Sequence, residues 1–170
     1  MIKEKLFKKI YQEYKEYYVL DENMSDEMLE YHIPLLKEFK NAYEQISQEE
    51  FLENPDTFLL QFFKKDEVYE YLVFIAQLYV EQNQVEIAKR YIKKALPYAL
   101  IAQIYGLAVD CYWQIKDAEF SLYLFDEAIK KVKEQNNSSR LFMIKQELEN
   151  LARKSKETLF IQKANNLHML

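Results

Sequence analysis

The chain has 170 residues, a formal net charge of −5, 49% hydrophobic residues and 15% aromatics, with one Gly, three Pro and one Cys. Its length suits about one domain with a continuous core, and so little turn chemistry points away from sheets and towards an all-α fold. The charge argues against a general nucleic-acid binder, which would show a basic surplus. A lone Cys excludes an intramolecular disulfide and fits a reducing cytoplasm.

The acids are unevenly spread. Residues 21–56 hold eleven acids against Lys37 and Lys40, whereas residues 2–19 carry five Lys against three Glu. Either these are solvated helix faces or the acidic region steers a basic partner. Lys and Glu interrupt the first 19 residues, so no signal peptide is expected. The most apolar run, Tyr71 to Val80, is too short to span a bilayer.

In chain order, residues 2–20 read as an amphipathic helix on Leu6, Ile10, Tyr14 and Tyr17. A polar break comes next, with Ser25 placed to cap the second helix. Pro34 predicts a kink or a new helix start. Ser47 and Glu50 have capping-box spacing, and Asn54-Pro55 reads as a cap with Pro in the first turn. Phe58, Leu59, Leu60, Phe62 and Phe63 form a dense apolar cluster, expected between the N-terminal helices and the helix that begins near Asp66.

From residue 66 to 135 the pattern is doubled. Aligning Tyr79 with Tyr112 places Leu72 on Tyr105, Ile75 on Ala108, Ala76 on Val109, Asn83 on Lys116, Ala88 on Ser121, Ile92 on Phe125 and Ala95 on Ala128. Each copy reads as helix, turn, helix: Asp66 (as cap) to about Glu81, then Val85 to about Leu96; about Tyr98 to Ile115, then on to about Gln135. The two tyrosines are expected in equivalent buried places. A helix from Ser139 buries Leu141, Ile144, Leu148 and Leu151, and residues 158–170 form a short helix, a weak hairpin partner or a docking tail. The expectation is a single all-α domain: N-terminal helices (1–65), two hairpins (66–135) and a C-terminal cap (139–170).

Residues 66–135 resemble the tetratricopeptide repeat family. The resemblance rests on Leu72 and Tyr105 as the large helix-A residues, Tyr79 and Tyr112 as its tyrosines, and Ala88/Ala95 and Ser121/Ala128 as the small helix-B pairs. The family's terminal Pro is missing from both copies, and Val109 is bulky where Gly or Ala is usual. The hairpins are also similar to those of bacterial peptide-pheromone receptors and secretion chaperones. The resemblance implies a right-handed superhelix and a concave groove lined by the A helices. In the first repeat its lining would include Glu70, Val73, Phe74, Gln77, Val80 and Glu81. In the second it would include Gln103, Gly106, Leu107, Asp110, Trp113 and Gln114. This set lacks a carboxylate clamp. Phe74, Leu107 and Trp113 offer apolar contact, Gly106 permits close approach, and Gln77, Gln103 and Asp110 offer hydrogen bonds to a peptide backbone. Alternatively, the chain's own N-terminal helices cover Phe74 and Trp113.

Chemistry is sparse. His32 and His168 lack metal-ligand spacing, Cys111 sits where the repeat wants a small buried residue, and one Gly excludes Gly-rich phosphate loops. Lys89, Arg90, Lys93, Lys94, Lys130, Lys131 and Lys133 on the B helices are solubilising, or meet an acidic partner or another copy. The expected function is a cytoplasmic, non-enzymatic adaptor or chaperone-like module binding a peptide or amphipathic helix, with no cofactor or metal. No nucleic acid or membrane is expected as partner, and a homo-oligomer is possible. The alternatives are a peptide-sensing regulator and an enzyme of unknown chemistry.

Overall fold

The computed structural model describes residues 1–18 and 23–167. Val19 to Glu22 and His168 to Leu170 lie outside them, and with them the end expected for the first helix, part of the polar break and the second histidine. Among the described residues all regular structure is helical, and the chain divides into two compact units, 1–98 and 99–170. Each of the two hairpins therefore belongs to a different unit.

Unit one contains α1 (Ile2–Tyr17), α2 (Asp26–His32), α3 (Pro34–Gln45), α4 (Gln48–Glu53), α5 (Pro55–Leu59), α6 (Lys65–Glu81) and α7 (Val85–Ala95), closed by a 3-10 turn at Leu96–Tyr98. The stops are set locally. Ser25 Oγ accepts from Met28 N–H and Ser47 Oγ from Glu50 N–H, satisfying donors that a helix start leaves open. Pro34 opens a new helix instead of kinking an old one, because its missing N–H costs nothing at a first turn. Pro55 does the same, but Asn54 makes no side-chain cap bond.

Asp66 is not the cap of α6. Lys64 holds that position, and Glu67, one turn in, accepts from the Lys64 N–H at 3.1 Å. Asp66 is too near the start to reach back and accepts instead from the Glu67 N–H.

The start of α1 is capped from outside. Gln48 Oε1 accepts from the N–H groups of Ile2 and Lys3, at 3.0 and 3.3 Å. Reciprocally, the Lys3 ammonium donates to the carbonyls of Tyr43 and Ile46 at the end of α3, where a cation suits the helix dipole. Tyr43 returns a hydrogen bond from its hydroxyl to Lys3 O, 2.8 Å.

Leu6, Ile10, Leu29, Leu36, Phe39, Phe51, Leu59, Val68, Leu72 and Ile75 form the core of this unit. Each such side chain contributes about 1.5–3 kcal/mol by leaving water. Tyr17, expected on the buried stripe of α1, is exposed, and Ile2 and Tyr11 are buried instead. The Phe58–Phe63 cluster lies between α3 and α6: Phe39 meets Phe58, Phe62 and Phe63 edge-on, and Phe63 meets Tyr71. Leu60 is its exposed exception, on the far side of the turn that ends α5.

The tyrosines act as cross-links. Tyr11 donates to Glu30 (2.8 Å) and shares its hydroxyl with Leu36 O; Tyr14 donates to Glu67, Tyr91 to Leu52 O and Tyr98 to Asp56. A ring that fills the core and a hydroxyl that satisfies a distant acceptor do both jobs with one side chain.

Unit two contains α8 (Ile101–Ile115), α9 (Ala118–Glu134), α10 (Ser138–Ser155) and α11 (Thr158–Asn165). α8 starts three residues later than expected, because the 3-10 turn and an extended Leu100 intervene. Asp117 and Asn137 cap α9 and α10 through their side chains. α10 buries Leu141, Ile144, Leu148 and Leu151 against α8 and α9, and α11 packs on α10 through Phe160 and Ala164.

Within each unit the hairpins, α6–α7 and α8–α9, keep the doubled pattern closely. Leu72 and Tyr105, Ile75 and Ala108, Ala88 and Ser121, Ile92 and Phe125, and Ala95 and Ala128 are all buried. Ser121 is tolerated there because its hydroxyl donates to Ala108 O at 2.7 Å. The marker tyrosines part company. Tyr112 is buried with Phe160 edge-on at 5.1 Å, whereas Tyr79 is half-buried and stacks on Tyr91 at 5.4 Å. The ring partners differ: Tyr79 meets a residue of its own hairpin, whereas Tyr112 meets one from α11.

Candidate binding surface

The residues singled out on α6 fall on its less buried side. Val73 and Phe74 are half-buried, and Glu70, Gln77 and Glu81 are exposed. Phe74 turns towards α1, where the Lys9 ammonium lies 5.0 Å from its ring centre, a cation–π distance. Lys9 itself pairs with Glu13 at 2.7 Å. Phe74 is thus partly covered by the N-terminal helix, as one of the two readings of the sequence anticipates.

On α8 the residues Gln103, Gly106, Asp110 and Trp113 succeed one another at steps of three and four, so they share a helix face. Gly106 is the floor of that face. A Cβ built on it meets no atom within 4 Å, so the packing of the chain does not require the only glycine at this position. Trp113 is 40% exposed and sits edge-on to Tyr112. The Lys116 ammonium lies 4.1 Å from its ring centre and 5.4 Å from that of Tyr112. Asp110 and Gln114 are exposed. Leu107, by contrast, is buried and belongs to the core. Gln103 is already engaged, its Oε1 accepting from the Leu100 N–H at 2.8 Å, so the oxygen offered to a peptide backbone serves the start of its own helix.

The sequence pattern misses both cations, Lys9 over Phe74 and Lys116 over Trp113. Lys9 is 65 residues from its ring and carries no local signal. Lys116 is legible in principle, since a residue one turn beyond Trp113 reaches back over it.

Cys111 is buried on the opposite side of α8, and burial, with a smaller effect from Asp110, pushes its thiol up to about 12. That is the state of an inert core thiol. Among the described residues no three His, Cys, Asp or Glu side chains converge as a metal site requires, and no helix is long and apolar enough to cross a membrane. Compared with protein-family models, curated proteins and solved structures, the chain matches none.

Proposed function

We propose that the chain is a helical-hairpin repeat protein of the tetratricopeptide kind that binds a peptide or an amphipathic helix without chemistry, and that the α8 face is where it does so. One observation carries the reading. A glycine in mid-helix costs about 0.5–1 kcal/mol relative to alanine, and the space over Gly106 is open, so its own fold gains nothing from it. A ligand backbone laid against α8 does gain, since only a residue without a Cβ lets it approach so closely. Trp113 beside it supplies a large apolar contact, and Asp110 a hydrogen-bond acceptor at the rim. The matched buried positions and turns of the two hairpins support the repeat kinship.

The test uses a displayed library of random peptides selected on the full chain and counter-selected on Gly106→Gln. The reading expects a consensus with apolar anchors whose synthetic form shifts the emission of Trp113, the only tryptophan, and whose binding is lost in Gly106→Gln and in Trp113→Ala. Selection without a consensus, or a consensus peptide indifferent to both changes, refutes it. An adaptor role in the cytoplasm is the setting this reading implies.

A further inference from the structure

We propose that the acidic corner made by α2 and α3 is a second docking surface, and that its occupant is a cationic amphipathic helix of a partner protein. The inner side of this corner is complete: Leu29, Leu36 and Phe39 are buried, and buried Glu30 is held by Tyr11 and by Lys40 at 3.6 Å. The outer side is apolar where a solvated face should not be. Met28 is 49% exposed, Tyr31 79% and Leu35 36%. Met28 and Tyr31 lie one turn apart on α2 and so share a face, and Leu35 sits in the first turn of α3, which follows directly after Ile33. An exposed apolar pair one turn apart is what a partner helix packs against. Among the described residues the ring of Tyr31 meets one other ring, that of His32, edge-on at 5.5 Å, and its hydroxyl has no hydrogen-bond partner.

Charge decides the occupant. Glu27, next to Met28 on α2, and Glu38, one turn after Leu35 on α3, are exposed and without an ion pair among the described residues, against one exposed cation beside them, Lys37. Asp26 is occupied by Lys15 at 2.8 Å. The stretch 21–56 as a whole holds eleven acids against two lysines. Such a field repels nucleic acid and anionic lipid and attracts Lys and Arg. The basic helix α7 of a second copy fits less well. The basic residues of α7 are there to meet the acids, but its apolar side chains Ala88, Ile92 and Ala95 are already buried, so it offers charge without an apolar stripe. A helix with Leu or Phe on one face and Lys or Arg beside it satisfies both features at once.

The probe is a synthetic Leu/Lys peptide of about 18 residues with Leu on one helical face, set against the same composition scrambled and against a Leu/Glu counterpart. Binding to the full chain is measured by peptide fluorescence anisotropy, and its place by amide chemical shifts. The expected result is binding of the Leu/Lys helix alone, with shifts centred on residues 27–38. Affinity should fall at least about tenfold in Glu27→Lys/Glu38→Lys, in Tyr31→Ser, and in about 0.5 M salt. Gly106→Gln should leave it unchanged, which separates this surface from the α8 face. Equal binding of the scrambled peptide, indifference to the charge reversal or to Tyr31→Ser, shifts centred elsewhere, or conversion of the chain to a dimer in place of peptide binding overturns the proposal. Glu27, Tyr31 and Glu38 are exposed and the space over Gly106 is open, and an unchanged thermal midpoint shows that the variants fold.

Discussion

Asn83 and Lys116, thirty-three residues apart, each end the first helix of a hairpin in left-handed backbone, with φ of 60° and 62°. The closures differ by one residue. Gln84 N–H reaches back to Tyr79 O beyond Asn83, whereas Lys116 N–H itself bonds Tyr112 O. Both patterns satisfy carbonyls that a helix end leaves open, and both call for glycine at the left-handed position. This chain has its one glycine elsewhere. Asn tolerates the conformation, but Lys carries a Cβ penalty of roughly 1–2 kcal/mol. Lys116→Gly is therefore expected to raise stability by about 0.5–1 kcal/mol despite the loss of its contact with Trp113, and Asn83→Gly by less. Lys116→Val should lower it. Urea midpoints of the three variants check the order.

Gly106→Ala separates fold from function. With open space where the new methyl would go, the gain in helix propensity is unopposed, and stability should rise by about 1 kcal/mol. The selected peptide should at the same time bind more weakly. A fall in stability would mean that the glycine serves the chain's own packing.

How much of the fold and of the α8 face is legible in the sequence depends on distance along the chain. The turns at Asn83-Gln84 and Lys116-Asp117, the cap at Ser25 and the restart at Pro34 are written in a few neighbouring residues, and the structure places them there. The buried small residues of α7 and α9 are legible because two copies can be read against each other. The tyrosine cross-links are not. Tyr14 finds Glu67 and Tyr91 finds Leu52 O across 53 and 39 residues, and composition shows only that tyrosine is abundant. The same holds for Phe74, which local periodicity puts on an open face and α1 partly covers. Asp66 misleads because acids are favoured throughout a first turn, so their presence does not say which one is the cap. Tyr79 misleads because its ring partner is Tyr91 of its own hairpin, whereas Tyr112 meets Phe160 from a helix outside the repeat, and no local pattern encodes that.

The junction of α1 with α3 and α4 rests on few atoms. Gln48→Ala removes the acceptor of two helix-start N–H groups and is expected to cost about 1 kcal/mol, in the range of an N-cap loss. Lys3→Met removes the donor to two carbonyls and should cost about 1–3 kcal/mol, because those groups are then left unsatisfied in partly buried surroundings. The double variant should cost less than the sum, since both changes loosen the same contact. Thermal midpoints of the two singles and the double measure this coupling.

Tyrosine also sets the alkaline limit. Burial, then Tyr79, pushes Tyr91 up from 10.0 to about 12, and burial, then the Asp56 carboxylate, does the same for Tyr98. Burial drives Tyr11, Tyr14, Tyr43 and Tyr71 further in the same direction. Between the unfolded value of 10.0 and the folded value of about 12, the folded chain holds protons that the unfolded chain has lost. Stability is therefore fully present below 10.0 and falls as pH rises through that window. A pH series of urea midpoints should show the decline, together with a late rise of tyrosinate absorbance. Tyr91→Phe and Tyr98→Phe should each make the decline shallower.

The thiol of Cys111 gives a probe of the second unit's integrity. Burial holds its pKa up to about 12, so at neutral pH almost none is thiolate, and the side chain is also shielded from reagents. In the folded chain its alkylation by iodoacetamide should be governed by opening of α8, not by the chemistry of an exposed thiol. The rate should rise steeply in urea at the midpoint where tyrosine environment and helicity are lost. It should be slower in Gly106→Ala, which stiffens the same helix, and faster in Ser121→Gly, which removes the hydroxyl bonded to Ala108 O and puts a flexible residue into α9. Rapid alkylation in the absence of urea, at the rate of a free cysteine peptide, would show that α8 is not packed as described. The α8 reading would then lose its rigid floor.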